Sequence, residues 1–233
     1  MAGCSLANAD AVRVKGDAMD KSTLPRVSVL FPEQFAETAR TLGRAFINDP
    51  PFKMILPDVT EPVERARRLA MVFEVALAIQ RKNGQPVFGV MIDGRVVGAA
   101  VTEGAGHPSI AQTIISGLGG LPKLVSAVGT SGTMRAIQLM NELAHNHPPE
   151  PHIYLNFLGV DPAYQGKHCG TALLEHLKQL AAARSSLAGV YLETATEANV
   201  AYYQARQYEV LSEIRPLGVR MWRMLQRRRA ESV

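Results

Sequence analysis

The residues best suited to chemistry in this sequence form a short polar loop between an apolar run and an amphipathic helix. The run covers residues 153–160, Asp161-Pro162 ends it, and leucines at helical spacing follow the loop. A strand–loop–helix connection presents backbone N–H groups at the positive end of a helix dipole. Gly166 and Gly170 permit close approach, and Lys167 supplies positive charge. The sequence therefore predicts a phosphate-bearing ligand at the start of this helix.

The spacing within the loop narrows the choice of ligand. It contains neither the GxxxxGK[ST] of a nucleotide P-loop nor the GxGxxG of a dinucleotide fold. It resembles the acetyl-CoA signature of the GNAT superfamily of N-acetyltransferases, [QR]-x-x-G-x-[GA] after a strand ending in V-x-P. The matching residues are Val160, Pro162, Gln165 and Gly170. His168 replaces the middle glycine of the signature, where its side chain would either crowd the diphosphate or donate a hydrogen bond to it.

A second match lies beyond the apolar run of residues 189–194. Asn199 and Tyr203 fit the GNAT pattern N-x-x-x-Y-x-x-x-G-[FY], with Gln207 where glycine is usual. The layout is most similar to the group typified by puromycin N-acetyltransferase, which shares a large insertion followed by P-E-P, L-G-V-x-P-x-x-Q-G and L-E-T. The resemblance covers about residues 26–226; it is strongest from residue 148 onward.

The resemblance implies an α/β (α+β) GNAT fold. Its central sheet would be mixed and mostly antiparallel, with about six to seven strands, flanking helices and a helical insertion between strands 3 and 4. We expect a single domain over residues 25–226, with the insertion at about 104–150. Residues 1–24 are polar and aperiodic and are expected to form a disordered arm, and residues 227–233 a basic tail.

The hydrophobic pattern predicts the individual elements. Residues 61–82 should form a helix with Arg65, Arg67 and Arg68 outward, and residues 52–57 an apolar connector. Asp93-Gly94 marks a hairpin. The predicted helices are 33–48, 61–82 and 133–144, and the predicted strands are 26–31, 86–92, 95–102, 153–160, 189–194 and 219–225.

The resemblance also implies acetyl-CoA as cosubstrate and no metal. Backbone groups of the strand ending at Val160 would splay from their neighbour and meet the pantetheine arm, and the loop would hold the diphosphate. Lys167 would reach a phosphate or face water, Cys169 would be a small buried residue behind the loop, and Asn199 would bond pantetheine or cap a helix. The full expected contact set is Leu158, Gly159, Val160, Gln165, Gly166, Lys167, His168, Cys169, Gly170, Thr171, Asn199 and Tyr203.

Acetyl transfer to an amine needs a proton donor for the departing thiolate and a proton acceptor for the ammonium. Tyr203 is the candidate general acid, with packing of its helix as the alternative. For the base, Glu193 and Glu142 are the candidates; Glu193 could instead pair with an arginine, and Glu142 could be a solvated helix residue. His145, His147 and His152 suggest a metal, but a surface loop is the favoured interpretation, because no fourth ligand lies nearby.

Composition limits the class of protein. The chain has 233 residues with 47% hydrophobic and 20% charged side chains, which is ordinary for a soluble globular protein. The net charge of +4 is modest and is concentrated near the end, which favours a solvated tail over a nucleic-acid interface. No apolar run could span a bilayer, no signal core is present, and Cys4 and Cys169 make no disulfide framework. We expect a cytoplasmic protein without nucleic-acid or membrane partners.

The expected function is transfer of an acetyl group from acetyl-CoA to a primary amine of a small molecule. An antibiotic or aminonucleoside acceptor would make the chain a resistance enzyme. The insertion, with apolar residues from Ile114 to Val125, would enclose the substrate, form a homodimer interface or pack in the core. Two alternatives remain: acetylation of a protein or peptide amine, and a non-catalytic acyl-CoA-binding sensor, which His168 and Gln207 suggest.

Overall fold

Seven strands form one mixed sheet in the computed structural model, which describes residues 24–104 and 118–228. Their spatial order is β1-β2-β3-β4-β5-β7-β6. Within the described sheet β4 and β5 are parallel, and every other neighbouring pair is antiparallel. The strands are β1 (Val27–Val29), β2 (Val87–Ile92), β3 (Arg95–Glu103), β4 (Ile153–Val160), β5 (Gly189–Thr194), β6 (Tyr208–Ile214) and β7 (Met221–Arg227). The predicted fold class is confirmed.

Helices cover both faces of this sheet. They are α1 (Phe35–Ala45), α2 (Pro50–Ile55), α3 (Pro62–Lys82), α4 (Leu121–Ala144), α5 (Cys169–Ala182) and α6 (Glu197–Gln204). Helices α1 to α4 supply the buried side chains of one face, and α5 and α6 those of the other. Helix α4 belongs to the insertion between β3 and β4, as predicted. None of the helices within the described residues has both the length and the apolar character to cross a bilayer.

The core under α1 to α4 is organised by four phenylalanines. Phe46, Phe52, Phe73 and Phe157 lie with ring centroids 5.1–6.2 Å apart, several of them edge to face. Aromatic pairs in this range add about 0.5–1.5 kcal/mol each beyond their buried area. Phe46 lies at the end of α1, and the other three rings come from α2, α3 and β4. The cluster therefore packs these three helices against β4.

Two predictions for the N-terminal half were wrong. Residues 50–55 form α2 instead of an apolar connector, because Asp49 caps the helix by accepting from the Phe52 amide and prolines occupy its first turn. The Asp-Pro-Pro sequence therefore ends one helix and starts another. Arg65, expected to point outward, is buried on the core face of α3.

The insertion and the C-terminal strands also differ from the prediction. Helix α4 starts at Leu121 instead of residue 133, and Gly129, with φ 70° and ψ 174°, interrupts it. Strand β6, whose side chains are mostly exposed or half-buried, was not predicted. Strand β7 runs from Met221 instead of residue 219. The predicted disordered arm and basic tail, together with Ile114 and Ile115, lie almost wholly outside the described residues.

Strand β4 has a β-bulge near its centre, and its pairing with β5 ends just before that bulge. Phe157 pairs with Val101 and Leu155 with Thr102, so Asn156 is an extra residue, a β-bulge. The ladder to β5 covers only Ile153 and Tyr154 within the described sheet. From Leu155 to Val160 the edge of β4 that faces β5 therefore has no strand partner there.

Candidate active site

The end of β4 is held in place by a carboxylate. Asp161 accepts from Arg44 of α1, at 2.8 Å from Nε and 2.6 Å from Nη2, and its other oxygen accepts from the Ala163 amide at 3.0 Å. The Asp161 amide donates to the Val97 carbonyl at 2.9 Å. Both arginine nitrogens contact the same oxygen, Oδ2, and charge-assisted hydrogen bonds of this kind are stronger than neutral ones. These contacts set the direction in which the chain leaves β4 and enters the loop before α5.

The loop presents backbone donors around the start of α5. Gly166 has φ 77° and His168, the N-cap residue of α5, has φ 58°. The first intrahelical amide bond is that of Ala172 to the His168 carbonyl, at 2.9 Å. Within residues 24–104 and 118–228, no acceptor is found for the amides of residues 166–171. Consecutive free amides at a helix start form an anion site.

The two residues at which the sequence departs from the GNAT signatures both lie in the left-handed region of φ. His168 and Gln207 stand at two signature glycine positions, and both have positive φ, 58° and 69°. Glycine adopts this conformation freely, whereas another residue is held in it at a cost; histidine is among the residue types enriched there. The Gln207 side chain also accepts from Lys178 Nζ at 3.0 Å. The backbone therefore keeps a glycine-like shape without the glycines.

Two side chains of the loop have defined positions. Lys167 Nζ lies 4.6 Å from the centroid of the Tyr164 ring, and the lysine is otherwise exposed. Cys169 is buried, as predicted, and burial raises the pKa of its thiol, which disfavours the reactive thiolate. Lys167 is thus available to an anion, whereas Cys169 serves packing.

Helix α6 brings Tyr203 and Asn199 to the same side of the sheet as α5. Both residues are fully buried, and the Tyr203 ring packs against Tyr202 and Tyr208 at 5.5 and 5.4 Å. The N-cap of α6 is Thr196, so Asn199 is not the cap. Tyr203 belongs to one buried cluster with Leu158, Val160 and Cys169. The open end of β4, the start of α5 and this tyrosine therefore contribute to one buried cluster.

Glu193 lies on the opposite face of the sheet, in a buried polar group. Its Oε1 accepts from the Tyr191 hydroxyl at 2.7 Å, and that hydroxyl accepts from Arg223 Nε at 3.2 Å. Burial raises the pKa of Glu193, and hydrogen bonds from Tyr191 and Tyr154 and the charge of Arg223 oppose the rise. A buried carboxyl with a raised pKa is a candidate general base.

Glu142, the other carboxylate considered as a base, has a different setting. It is exposed near the end of α4, and its Oε2 accepts from the Leu217 amide at 3.2 Å. Leu217 belongs to the turn between β6 and β7 and has φ 50°. Glu142 thus joins the insertion helix to that turn, and the structure does not bring it together with Glu193.

Of the three histidines expected in a surface loop before β4, His145 is exposed, whereas His147 is half-buried and His152 is buried. His152 is buried, its Nε2 lies 3.3 Å from Nδ1 of His147, and both rings pack against Tyr191 at centroid distances of 5.1 Å. Stacking on the Tyr191 ring explains why His152 is buried and His147 half-buried. No group of three or more histidine, cysteine or acidic side chains suited to a metal occurs within the described residues.

Sequence reasoning missed several polar residues that shape this region. Arg44 and Asp161 fix the loop, Asn156 forms the bulge and donates to Glu103 at 2.9 Å, and Arg206 lies against α5. Asp161 could have been found from its place between the strand and Pro162, as an N-cap. The arginines carry no signal in the sequence, because their partners are distant in the chain.

Comparison with known families identifies the arrangement. Residues 52–207, more than half of the chain, match the family model described as the acetyltransferase (GNAT) family. The chain belongs to the GNAT family. It is therefore an acetyltransferase, an enzyme that transfers an acyl group from acyl-CoA to an amine.

Solved structures agree on the fold. The chain is similar to a histone acetyltransferase HPA2 and related acetyltransferase from Corynebacterium glutamicum, with 23% identity, 90% of this chain and 99% of that one covered, and a TM-score of 0.65. It is also similar to arylalkylamine N-acetyltransferase 2 from Aedes aegypti, with 12% identity, coverages of 88% and 99%, and a TM-score of 0.57. A GNAT-like decarboxylase, GphF, in complex with isobutyryl-CoA has 15% identity, coverages of 88% and 100%, and a TM-score of 0.52.

The residues present fit acetyl-CoA, the cosubstrate of this family. Free amides at the start of a 14-residue helix match a diphosphate, and the open edge of β4 matches the amide groups of a pantetheine arm. The two features are adjacent in the chain and share one side of the sheet, so a single extended ligand can meet both.

Proposed function

We propose that this GNAT enzyme acetylates the primary amine of a small molecule by direct attack within a ternary complex. Leu158, Gly159 and Val160 offer backbone groups to the pantetheine arm, and residues 165–171 hold the diphosphate. Bound acetyl-CoA supplies an activated acyl carbon, so correct orientation of the two reactants can account for ~7–11 kcal/mol of the barrier. The observation that carries this proposal is the run of free amides at residues 166–171 beside the open edge of β4.

The proton steps are assigned to two buried residues. Tyr203, which belongs to the same buried cluster as Leu158 and Val160, donates a proton to the departing thiolate as general acid. Glu193, whose pKa burial raises, accepts the proton of the acceptor ammonium. Glu142 is the less favoured base, because its carboxylate is exposed and bound to the Leu217 amide. Asn199 binds the pantetheine arm from α6.

A small acceptor is favoured over a protein because of the insertion helix. Helix α4 is joined to α2 by Arg135 Nη2, which donates to the Ile55 carbonyl at 3.3 Å, and to the β6–β7 turn by Glu142. The insertion thus crosses the face on which Glu193 lies, which leaves less room for a polypeptide. The layout shared with the puromycin N-acetyltransferase-like group makes aminonucleosides and other amine antibiotics the first acceptors to examine.

A CoA-release assay with a panel of amines tests the proposal. The panel contains aminonucleosides, aminoglycosides, arylalkylamines and peptides with free amino termini, and calorimetry measures acetyl-CoA binding in parallel. We expect micromolar acetyl-CoA binding and turnover with a small amine. Turnover confined to peptides would replace the small-molecule proposal with a protein substrate. Binding without CoA release from any amine would favour a sensor, and no binding of any CoA ester would contradict the whole assignment.

A further inference from the structure

A guanidinium group lies against the first turn of α5, beside the free amides. Arg206 follows α6, and its Nη2 donates to the Thr171 hydroxyl at 2.9 Å. Thr171 is the third residue of α5, whose own amide is one of the six without an acceptor. A positively charged side chain is therefore placed at the helix end where the diphosphate is proposed to bind.

The position of this guanidinium is fixed by aromatic stacking. Its central carbon lies 3.5 Å from the centroid of the Tyr202 ring, and Nη1 donates to the Tyr202 carbonyl at 2.9 Å. The Tyr202 hydroxyl in turn lies 3.3 Å from the Thr171 hydroxyl. A stacked and doubly bonded arginine loses little further side-chain entropy when it binds a ligand.

This placement is electrostatically unfavourable without an anion. The start of a helix carries a partial positive charge, so a second positive charge there is repelled. Within the described residues no carboxylate pairs with Arg206, and its Nε is buried without an acceptor. The same charge becomes favourable once an anion lies at the helix start, because the guanidinium and the amides then face it together.

Arg206 also keeps donors for such an anion. Each Nη nitrogen of a guanidinium carries two hydrogens, and each uses one in the bonds to Thr171 and Tyr202. Two hydrogens of the planar fork remain, and this fork matches phosphate oxygens. By contrast Lys167, the cation that the sequence suggested, is an exposed side chain at the Tyr164 ring.

We propose that Arg206 is a binding residue for the diphosphate of acetyl-CoA and the principal side-chain cation of that subsite. The inference rests on the proposed function, because it takes the coenzyme to lie at residues 166–171. The competing explanation is that Arg206 only ties α6 to α5 through Thr171. The two explanations predict different results for substrates without phosphates. If Arg206 is only a structural tie, its loss should affect acyl donors with and without phosphates equally.

The test compares acetyl-CoA with acetylpantetheine, which carries the thioester and the arm but no phosphate. Calorimetry of Arg206→Gln should show ~10-fold weaker acetyl-CoA binding, with kcat preserved at saturation, as expected for loss of a charge-assisted bond. The kcat/KM for acetylpantetheine should not change. Arg184→Gln is the matched control, since it removes the same charge ~20 Å away at the far end of α5. Arg206→Lys should recover part of the affinity, and its melting temperature checks folding.

Each other outcome overturns the inference in a distinct way. Equal losses for acetyl-CoA and acetylpantetheine would make Arg206 a structural tie. A loss that disappears with 3′-dephospho-acetyl-CoA would transfer its role to the 3′-phosphate. An unchanged dissociation constant for acetyl-CoA, with wild-type binding intact, would remove Arg206 from the subsite while leaving the proposed function standing. Failure of the wild-type protein to bind acetyl-CoA would instead remove the proposed function itself.

Discussion

The two faces of the sheet build their halves of the proposed site in different ways. On the α5 face, one continuous stretch, residues 153–182, supplies the open strand edge, the loop and the helix start, and most of its donors are backbone amides. On the opposite face, Glu193 is surrounded by side chains from distant parts of the chain, among them Tyr154, Tyr191 and Arg223. Backbone donors depend on local conformation, whereas side-chain groups depend on packing.

The difference predicts opposite sensitivities to substitution. Apart from Arg206, the half of the proposed site that meets the coenzyme should tolerate exchange of side chains provided that the backbone keeps its shape, as the positive φ of His168 and Gln207 in place of glycines suggests. The half that contains Glu193 should lose activity when one polar atom is changed. Four substitutions, from the largest expected effect to the smallest, test this contrast.

Glu193→Gln should have the largest effect. Loss of a general base lowers kcat by ~10²–10⁴ while acetyl-CoA affinity is retained. Because burial raises the pKa of Glu193 above the ordinary value of 4.5, the acidic limb of the wild-type pH–kcat profile should lie above that pH. Steady-state kinetics and calorimetry measure both quantities. Glu209→Gln, an exposed residue of β6, is the control, and a comparable loss of kcat in Glu142→Gln alone would move the base to α4.

The same substitution has a predicted effect on stability. The pKa of Glu193 is raised in the folded state, so its contribution to stability is present below the unfolded pKa and is lost as pH rises through the folded pKa. Glu193→Gln should therefore gain in melting temperature relative to wild type as pH rises above about 4.5, the ordinary glutamate value. Equal melting-temperature differences at pH 4 and pH 8 would contradict the raised pKa.

Tyr203→Phe tests the proposed proton donor, which lies on the α5 face of the sheet. The phenol is proposed as proton donor, so its removal should lower kcat by roughly 10–100-fold and change the acetyl-CoA dissociation constant little. The matched control is Tyr208→Phe, since Tyr208 is another buried tyrosine whose ring packs 5.4 Å from Tyr203. A similar fall in kcat for both variants would show that packing, not proton transfer, is the role of Tyr203.

Gly166→Val tests whether backbone shape governs coenzyme binding. A β-branched residue at φ 77° is strained by about 1–3 kcal/mol, which should turn the loop amides away and weaken acetyl-CoA binding by ~10-fold or more. Gly84→Val imposes the same kind of strain at φ 63° in the connection between α3 and β2. It should lower the melting temperature but leave binding unchanged. Equal binding by both variants would exclude the loop from the coenzyme site.

His168→Gly should have the smallest effect. If the backbone supplies the binding groups, the acetyl-CoA dissociation constant should stay within about threefold of wild type, because glycine adopts φ 58° without strain. His168→Ala keeps a Cβ but removes the imidazole and separates the two contributions. A tenfold loss of affinity in both variants would show that the imidazole itself donates to the diphosphate, as one sequence-based alternative holds.

Much of the coenzyme half could be predicted because its signals are local. Strands β4 and β5 have the predicted bounds, 153–160 and 189–194, since each is a short apolar run between turn residues. The Asp93-Gly94 hairpin is also confirmed, with both residues at positive φ. Strand β6 was missed because its exposed, polar residues lack the alternation of a half-buried strand.

The polar contacts across the chain could not be predicted in this way. Arg44 and Asp161 are 117 residues apart, Glu142 and Leu217 are 75 apart, and Arg206 and Thr171 are 35 apart. The local sequence around an arginine or glutamate on a helix does not indicate which distant residue its side chain will contact. The burial of Arg65 and His152 has the same origin, because it depends on which element packs over them.

The amino-acid sequence by itself determined where the loop before α5 lies: an apolar strand, Asp-Pro, two glycines and a helix predict a row of amides without acceptors at the helix start. The tertiary structure alone decided which side chains surround that row and which carboxyl becomes buried. A β-bulge lies at Asn156, next to the point where β4 and β5 stop pairing. Helices from three other segments complete the two faces. The physical reason is the separation along the chain over which each interaction acts. Dihedral preferences depend on residues that are close in sequence, whereas burial and charge pairing depend on any groups that the fold brings together.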